Sequence, residues 1–241
     1  MRLPELGASP QSAFPPVETA LREPDGLLAW GGDLSPDRLL NAYRHGCFPW
    51  FDRGQPALWW SPDPRLVLRP DRFHVSRSFG RFLRRCDWRL TADRRCKDVI
   101  STCARIRRDG QRGTWILPSM IDAYARMHTL GHAHSIEVVD RDGRLVGGIN
   151  GIAIGAMVFG ESMFSASDNG SKVALLGLCR FMQARGWPLL DCQMDTPHLR
   201  SLGAQIVSRA DFIAESRTLC SAPHPHGTWR DAFGEQPAAT L

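Results

Sequence analysis

The sequence contains no apolar run that approaches the roughly 20 residues needed to cross a bilayer. At its N-terminus it also lacks the basic segment and apolar segment of a secretory signal. Its seven cysteines include no Cys-x-x-Cys pair, so their spacing gives no support to a zinc site. Several of them stand in apolar contexts typical of reduced core residues. We therefore expect a cytoplasmic protein with no membrane segment and no metal.

Lysine is scarce, since Lys97 and Lys172 are the only two and the other 28 of the 30 basic residues are arginine. Genomic base composition is the ordinary explanation, but arginine also suits two-point contacts with phosphate wherever it clusters. The formal net charge of +5 is too small to indicate a polyanion partner by itself. A length of 241 residues with 43% hydrophobic and 23% charged residues is typical of a globular protein with one large or two unequal domains.

The first sixty residues are rich in proline, glycine and tryptophan, and they predict a small N-terminal domain over residues 1–62. Ser35 is a hydroxyl cap followed by proline and aspartate, which predicts a helix start, and Gly46 predicts its end. The apolar side of this helix includes Tyr43. Residues 48–60 hold five aromatic side chains among prolines that fix the backbone.

A helix predicted over residues 76–85 carries basic side chains and no acid. Four arginines share one of its faces: Arg77, Arg81, Arg84 and Arg85. Like charges four residues apart repel one another, and a solvated helix face usually mixes both signs. The pattern therefore favours contact with a polyanion, and a solvated face is the alternative.

From residue 63 onward the pattern predicts helices first and strands later. The predicted helices cover 93–107, 118–130, 171–185, 197–202 and a segment from Ala210, and the predicted strands cover 134–140, 144–154, 156–164, 188–193 and 204–208. This order resembles the acetyltransferase-like (GNAT) fold, which implies acyl transfer to an amine. We expect an α+β protein in which the N-terminal domain precedes a GNAT-like mixed-sheet catalytic domain over residues 63–241, with a loosely packed tail from about residue 221.

Two predicted strands end in polar side chains on either side of one predicted helix. The first strand brings Glu161 and the second brings Asp191 and Gln193. Charged groups are rarely placed in strands that are otherwise apolar unless they are paired or used. Buried polar residues bonded to backbone are the alternative for any one of them. Two such strands flanking one helix favour a functional site.

Short motifs in order along the chain resemble the bacterial leucyl/phenylalanyl-tRNA–protein transferase family, in register from about Phe14 to Phe212. They are Phe14-Pro15-Pro16, Glu23-Pro24-Asp25-Gly26-Leu27-Leu28, Gly31-Gly32-Asp33-Leu34, Gly46-Cys47-Phe48-Pro49-Trp50-Phe51, Trp59-Trp60-Ser61-Pro62-Asp63-Pro64-Arg65, Gly113-Thr114-Trp115-Ile116, Gly131-His132-Ala133-His134-Ser135, Gly147-Gly148, Gly160-Glu161-Ser162-Met163-Phe164-Ser165, Asp191-Cys192-Gln193 and Ser201-Leu202-Gly203-Ala204. The resemblance implies transfer of leucine, phenylalanine or methionine from charged tRNA to the N-terminal arginine or lysine of a protein, which marks that protein for N-end-rule degradation. It also implies a small N-terminal α/β domain followed by a GNAT-like domain, with no metal and no coenzyme A.

The resemblance also implies roles for the three polar residues. Asp191 and Gln193 match positions given a proton-relay role in the family, and simple positioning of substrate is the competing role. Both are expected on the same face of their strand, since they are two residues apart. Glu161 suits the cationic side chain or the α-amine of the acceptor protein.

Further site residues follow from the same resemblance. Trp50 and Trp115 match positions that hold the terminal adenosine of tRNA, where a flat aromatic face suits a base. The four arginines of residues 76–85 match the basic face for the acceptor stem. Ile149 and Val158 match the apolar pocket for the donor side chain, where relatives often carry larger residues.

Three alternatives remain open from the sequence. Trp50 and Trp115 would be buried core residues if they do not bind adenosine. His132 and His134 are interpreted as structural and not as metal ligands, because no third ligand is evident. A GNAT-type N-acetyltransferase that uses acetyl-CoA would need a glycine-rich pyrophosphate loop between a strand and a helix, and residues 200–205 do not fit one. A non-catalytic RNA-binding module would explain the arginines and tryptophans but would leave the three polar residues without a role.

Overall fold

The computed structural model describes residues 3–106, 116–223 and 227–241, and within these residues the chain forms eight α-helices and two β-sheets. The helices are α1 (Pro36–Arg44), α2 (Arg77–Arg85), α3 (Cys96–Arg105), α4 (Pro118–Thr129), α5 (Gly170–Ala184), α6 (Pro197–Ser201), α7 (Arg209–Cys220) and α8 (Arg230–Phe233). The strands are β1 (Glu5–Leu6), β2 (Leu27–Gly31), β3 (Phe48–Pro49), β4 (Leu58–Trp60), β5 (Arg65–Leu68), β6 (Arg89–Ala92), β7 (Ala133–Val139), β8 (Leu145–Ile154), β9 (Met157–Ser165), β10 (Leu189–Gln193), β11 (Gln205–Val207) and β12 (Gln236–Pro237).

The N-terminal part of the chain forms a four-stranded sheet in the order β1-β2-β4-β3. Helix α1 begins where the sequence predicts, because the Ser35 side chain accepts a hydrogen bond from the backbone N–H of Arg38. It ends before Gly46, whose φ of +82° is in the left-handed region. The buried side of α1 includes Leu39, Leu40 and Tyr43, as the periodicity predicts.

The large sheet has eight strands in the order β11-β5-β10-β9-β8-β7-β6-β12. Strands β9 and β10 pair in parallel and are joined by α5, whereas the other described pairs of this sheet are antiparallel. The parallel pairing ends at Phe159 and Asp191. Glu161 on β9 and Gln193 on β10 follow these last paired residues.

Alternate residues of the central strands enter two different apolar cores. One core contains Phe159 and Leu189 and packs against α1, α3 and α4. The other contains Val158 and Leu190 and packs against α2 and α5. Because the sheet is covered on both sides, its central strands are almost continuously apolar, and the polar residues Glu161 and Asp191 stand out from them.

The predicted helix start at Asp93 is wrong. Asp93 has a left-handed φ of 55°, and its carboxylate accepts hydrogen bonds from the backbone N–H groups of Ser135 and Trp229. The helix begins at Cys96 instead, after Glu137 has accepted the backbone N–H groups just before it. A residue whose carboxylate is bonded to two distant segments has no freedom to cap the helix next to it.

The expectation of a loosely packed C-terminal tail is wrong for residues 227–241. Strand β12 pairs with β6 at the edge of the large sheet, and Trp229, Phe233 and Ala238 are buried in the core beside α5. The proline and histidine residues of this segment suggest a tail because they leave few apolar residues in it. The three apolar residues named above are nevertheless buried in the core. The described chain is thus a mixed α/β structure, and none of its described helices is long and apolar enough to cross a membrane.

Candidate active site

Glu161 is held at a bulge in β9, close to the point where β9 and β10 part. The register slips here, so that Asn150 pairs with Ser162 while Gly151 pairs with Gly160, and Glu161 is the extra residue. Its side chain is only 8% exposed. The bulge brings this carboxylate to the side of the sheet that α1 and α4 cover, where its partners lie.

Two tyrosines from different helices hold the Glu161 carboxylate. Tyr43 of α1 donates to Oε1 at 2.7 Å, and Tyr124 of α4 donates to Oε2 at 2.6 Å. The two hydroxyl oxygens are themselves 2.9 Å apart. Both tyrosines are buried, and burial followed by the charge of Glu161 raises the pKa of each phenol well above its ordinary value. They therefore stay protonated and act as donors.

Burial raises the pKa of Glu161 to about 7, although hydrogen bonds from Tyr124, Tyr43 and Gln193 oppose the shift. Repulsion from the nearby Asp191 carboxylate raises it further. A carboxyl group with a pKa near 7 is able both to bind and to release a proton at neutral pH, which is unusual and typical of functional sites.

Asp191 lies on β10 and is fully buried, with both oxygens facing Arg65 of β5. Arg65 Nε donates to Oδ1 at 2.9 Å and Nη2 donates to Oδ2 at 2.7 Å. The guanidinium lies between the rings of Phe48 and Phe212, 4.9 and 4.5 Å from their centres. This two-point ion pair holds Asp191 in place and leaves its carboxylate without exposed surface.

Gln193 connects Asp191 to Glu161. Its backbone N–H donates to Asp191 Oδ1 at 2.9 Å, and its side-chain amide donates to Glu161 Oε1 at 3.1 Å. A bulge in the pairing of β10 with β5 and a left-handed φ of 60° turn the side chain toward Glu161. The polar residues that the sequence predicts on neighbouring strands therefore meet, since Gln193 contacts Asp191 through its backbone and Glu161 through its side chain. A strained backbone at this place is itself an indication of function.

Of the two tryptophans predicted to bind adenosine, the structure describes Trp50. Trp50 is 37% exposed, and its ring lies 5.4 Å from that of Trp60, whose indole N–H donates to the Trp50 carbonyl at 2.6 Å. An exposed ring fixed by a neighbouring tryptophan suits stacking on a base. Trp115 lies outside the described residues.

The four arginines of α2 all lie on the exposed side of the helix, while Phe79 and Leu83 are buried on the other. Ser76 caps the helix, accepting from Phe79 N–H. Within the described part of the chain none of the four forms an ion pair. The face is therefore available to an anionic partner, and its contact with tRNA stays a prediction.

Ile149 and Val158 are not beside Glu161. They belong to the apolar core on the α5 side of the large sheet and are 5% and 1% exposed. Glu161 and its two tyrosines are on the other side, with Phe159. Their assignment to the donor pocket stays a prediction, and such a pocket would lie across the sheet from the acceptor carboxylate.

His134 has the structural role that the sequence favours. Its ring is buried, lies flat on Trp229 with centres 4.0 Å apart, and faces Asp93 at 2.8 Å. No group of three or more potential metal ligands occurs among the described residues.

Tyr43, Tyr124 and Arg65 are the site residues that sequence reasoning missed as such. The sequence pattern places Tyr43 on the apolar side of α1, and it shows Arg65 as one residue of a motif. One signal is present in the sequence, since the chain has only two tyrosines. In the structure both of their hydroxyls donate to Glu161. A second signal is weaker, since an arginine inside an apolar strand requires an anionic partner.

Comparison with known proteins gives matches over most of the chain. The family described as leucyl/phenylalanyl-tRNA protein transferase matches residues 67–217, and its N-terminal domain matches residues 32–63. Curated leucyl/phenylalanyl-tRNA–protein transferases include that of Xanthomonas axonopodis pv. citri, 55% identical over 98% of this chain and 94% of that protein. That of Xylella fastidiosa is 51% identical over 96% of this chain and 95% of that protein.

Two solved structures give weaker matches. L-PGS from Bacillus licheniformis has a TM-score of 0.38 and 10% identity, covering 83% of this chain and 66% of that chain. The C-terminal domain of a putative lysylphosphatidylglycerol synthetase from Agrobacterium fabrum has a TM-score of 0.36 and 14% identity, covering 72% and 56%. Likeness at this level supports no conclusion. The sequence matches do, because they extend over nearly the whole chain at more than half identity, and the chain belongs to the leucyl/phenylalanyl-tRNA–protein transferase family.

Proposed function

We propose that the protein transfers leucine, phenylalanine or methionine from charged tRNA to the N-terminal arginine or lysine of acceptor proteins, and so marks them for N-end-rule degradation in the cytoplasm. The family supplies the reaction class, aminoacyl transfer from tRNA to a protein. The observation that carries the acceptor assignment is Glu161, a nearly buried carboxylate with a pKa of about 7 at the gap between β9 and β10. It is suited to a cationic N-terminus.

The proposal includes a GNAT-like arrangement for the large sheet. Its support is one parallel pair, β9 with β10, within an otherwise antiparallel set of described strands, with α5 crossing between them. A substrate that enters where the pair parts would reach Glu161 and Gln193 from one side. We also propose that residues 1–62 form a domain of their own, on the observation that β4 and β5 belong to different sheets.

The proposed reaction is attack of an amine on the ester that joins the amino acid to tRNA. The ester is already reactive, so the protein mainly orients the two partners and assists proton movement. Trp50 and Trp115 stack on the terminal adenosine, and the arginines of α2 bind the acceptor stem. Asp191 acts through Gln193, since its oxygens are occupied by Arg65 and by the Gln193 N–H.

One assay tests this function against its two rivals. The protein is incubated with labelled leucyl-tRNA and a peptide that begins with arginine, beside the same peptide with an acetylated N-terminus. Transfer of label to the free peptide alone supports the proposal. Acetylation of the peptide from acetyl-CoA, with no transfer from tRNA, supports an N-acetyltransferase. Binding of tRNA without transfer to any peptide supports an RNA-binding module.

Donor choice tests Ile149 and Val158. One methylene is worth only about 1–3 kcal/mol of discrimination in an apolar pocket, so phenylalanine should be accepted together with leucine. Val158→Phe should shift the preference away from phenylalanine, measured by competition between leucyl-tRNA and phenylalanyl-tRNA. Val173→Phe, an enlargement within the same apolar core on α5, controls for overpacking. An unchanged donor ratio in Val158→Phe would place this residue outside the pocket.

A further inference from the structure

The contacts among Glu161, Tyr43 and Tyr124 need three protons, and only two are present when Glu161 is ionised. Three oxygen–oxygen contacts close a ring: Tyr43 to Glu161 at 2.7 Å, Tyr124 to Glu161 at 2.6 Å, and Tyr43 to Tyr124 at 2.9 Å. Each contact needs one proton to be a hydrogen bond. The two phenols supply two protons. When Glu161 is ionised, one of the three contacts therefore has no proton.

A proton on Glu161 completes this ring. The carboxyl O–H then donates to the Tyr124 hydroxyl, Tyr124 donates to Tyr43, and Tyr43 donates to the other Glu161 oxygen. All three contacts become hydrogen bonds, and Gln193 still donates to Oε1. When Glu161 is ionised, both phenols donate to it, and the two tyrosine oxygens face each other at 2.9 Å with no proton between them. That contact is repulsive, so the ring itself favours uptake of one proton.

Asp191 has no oxygen free for the acceptor amine. Arg65 occupies both of its oxygens, the Gln193 N–H shares one of them, and the residue has no exposed surface. An amine could bind this carboxylate only by displacing a guanidinium N–H and breaking a buried ion pair, which is strongly unfavourable. Of the two carboxylates, Glu161 is the one that no cation occupies.

We propose that Glu161 is a catalytic residue that takes the proton from the acceptor amine during transfer, with Tyr43 and Tyr124 as positioning residues that complete a three-proton ring around it. This rests on the proposed function and deepens it. The amine nitrogen forms the new C–N bond and gives up a proton to Glu161. The C–O bond to the tRNA ribose breaks, and the ribose oxygen takes up the proton that Glu161 releases. Glu161 is then ionised again, and the ring is back in its initial state.

Other charged groups around Glu161 agree with this role. The titratable groups that face it from the described elements are Tyr43 on α1, Tyr124 on α4 and Asp191 on β10, the last paired with Arg65 on β5. Burial and Asp191 raise the pKa of Glu161 to about 7, while the donors lower it. A general base is most effective when its pKa lies near the working pH.

The first test is the pH profile of turnover at saturating leucyl-tRNA and arginine peptide, compared between wild type and Glu161→Gln. The variant keeps the shape of the side chain and cannot bind the proton. Turnover should fall about 10²–10⁴-fold in the variant. The wild-type profile should rise to a plateau through pH 7 with contributions from Glu161 and from the peptide amine, which titrates in a similar range. The variant should lose the contribution of Glu161 and keep only the rise that belongs to the amine.

The second test detects the proton without activity. Infrared difference spectra of the substrate-free protein between pH 5 and pH 9 should show a protonated carboxyl band that disappears near pH 7, and Glu161→Gln should remove it. Tyr43→Phe and Tyr124→Phe, which each remove one proton and two of the three contacts from the ring, should move the midpoint of this change. Circular dichroism of each variant confirms that it is folded.

The outcomes separate this inference from the proposed function. If the wild-type protein transfers the amino acid and Glu161→Gln raises only the KM for the peptide, the proposed function is supported. The catalytic role of Glu161 would then be overturned. A pH step that survives in Glu161→Gln but is lost in Asp191→Asn would also overturn it, in favour of Asp191. Absence of transfer by the wild-type protein would refute the proposed function, and the inference would fail with it.

Discussion

At the scale of single residues, the site separates two carboxylates by their surroundings. Asp191 faces a guanidinium and stays in a buried ion pair, whereas Glu161 faces three neutral donors. The two side chains have the same chemistry, and their neighbours suit them to different roles in the proposed reaction.

Asp191→Asn and Gln193→Ala should therefore differ in their effects. Asp191→Asn leaves the Arg65 charge buried without a full partner and should cost about 3–5 kcal/mol of unfolding free energy. Gln193→Ala removes one hydrogen bond and should cost about 1 kcal/mol. Both should lower turnover more than tRNA affinity. Urea unfolding, tRNA binding and turnover at saturating substrates measure the three quantities. Wild-type turnover in the folded Gln193 variant would show that its amide has no part in the reaction.

At the scale of elements, β9, α5 and β10 carry the site, and this unit follows from local sequence. Glu161 and Gln193 come near one another because a parallel pair joined by a helix brings equivalent strand ends together. Helix α2 is also local, since Ser76 caps it and its periodicity sorts arginine from phenylalanine. Such features need only a few neighbouring residues and are predictable from sequence.

Helix α2 supplies the prediction at this scale. Replacing Arg77, Arg81, Arg84 and Arg85 with alanine should weaken tRNA binding and reduce the slope of log affinity against log salt by up to about one unit per arginine. A small aminoacyl-adenosine donor without the stem should be used nearly as well as before. The control is Arg141→Ala with Arg144→Ala, which removes exposed arginines elsewhere. Equal loss with both donors would mean that α2 is structural.

At the scale of the whole molecule, the remaining parts of the site depend on contacts that no local pattern reveals. Tyr43 lies 118 residues from Glu161 in sequence, and the partner of Arg65 is 126 residues away. The residues themselves are visible in the sequence, but their pairing is set by the packing of α1 and β5 against the large sheet. The C-terminal segment was misread for the same reason, because Trp229 is placed by distant contacts with His134 and Asp93.

The C-terminal segment should contribute directly to global stability. Trp229→Ala removes a buried ring that stacks on His134 and should cost about 3–5 kcal/mol. Arg230→Ala, one residue along and exposed, should be close to neutral. Thermal and urea unfolding of the two variants measure the difference. Near-equal stability of both would show that residues 227–241 are dispensable for folding.

The surroundings of Arg65 have a consequence for dissecting the chain. Its guanidinium donates to the Gly46 carbonyl and lies between Phe48 from the first sheet and Phe212 from α7, while its charge is matched by Asp191. Three distant stretches of polypeptide thus enclose one cation that water does not reach. A fragment that starts at residue 63 would lack Phe48, which covers this cation on one side. Solvent would then reach the ion pair. The two sheets should for this reason be obtained as folded protein only together, from a single polypeptide or from two complementary fragments that reassemble.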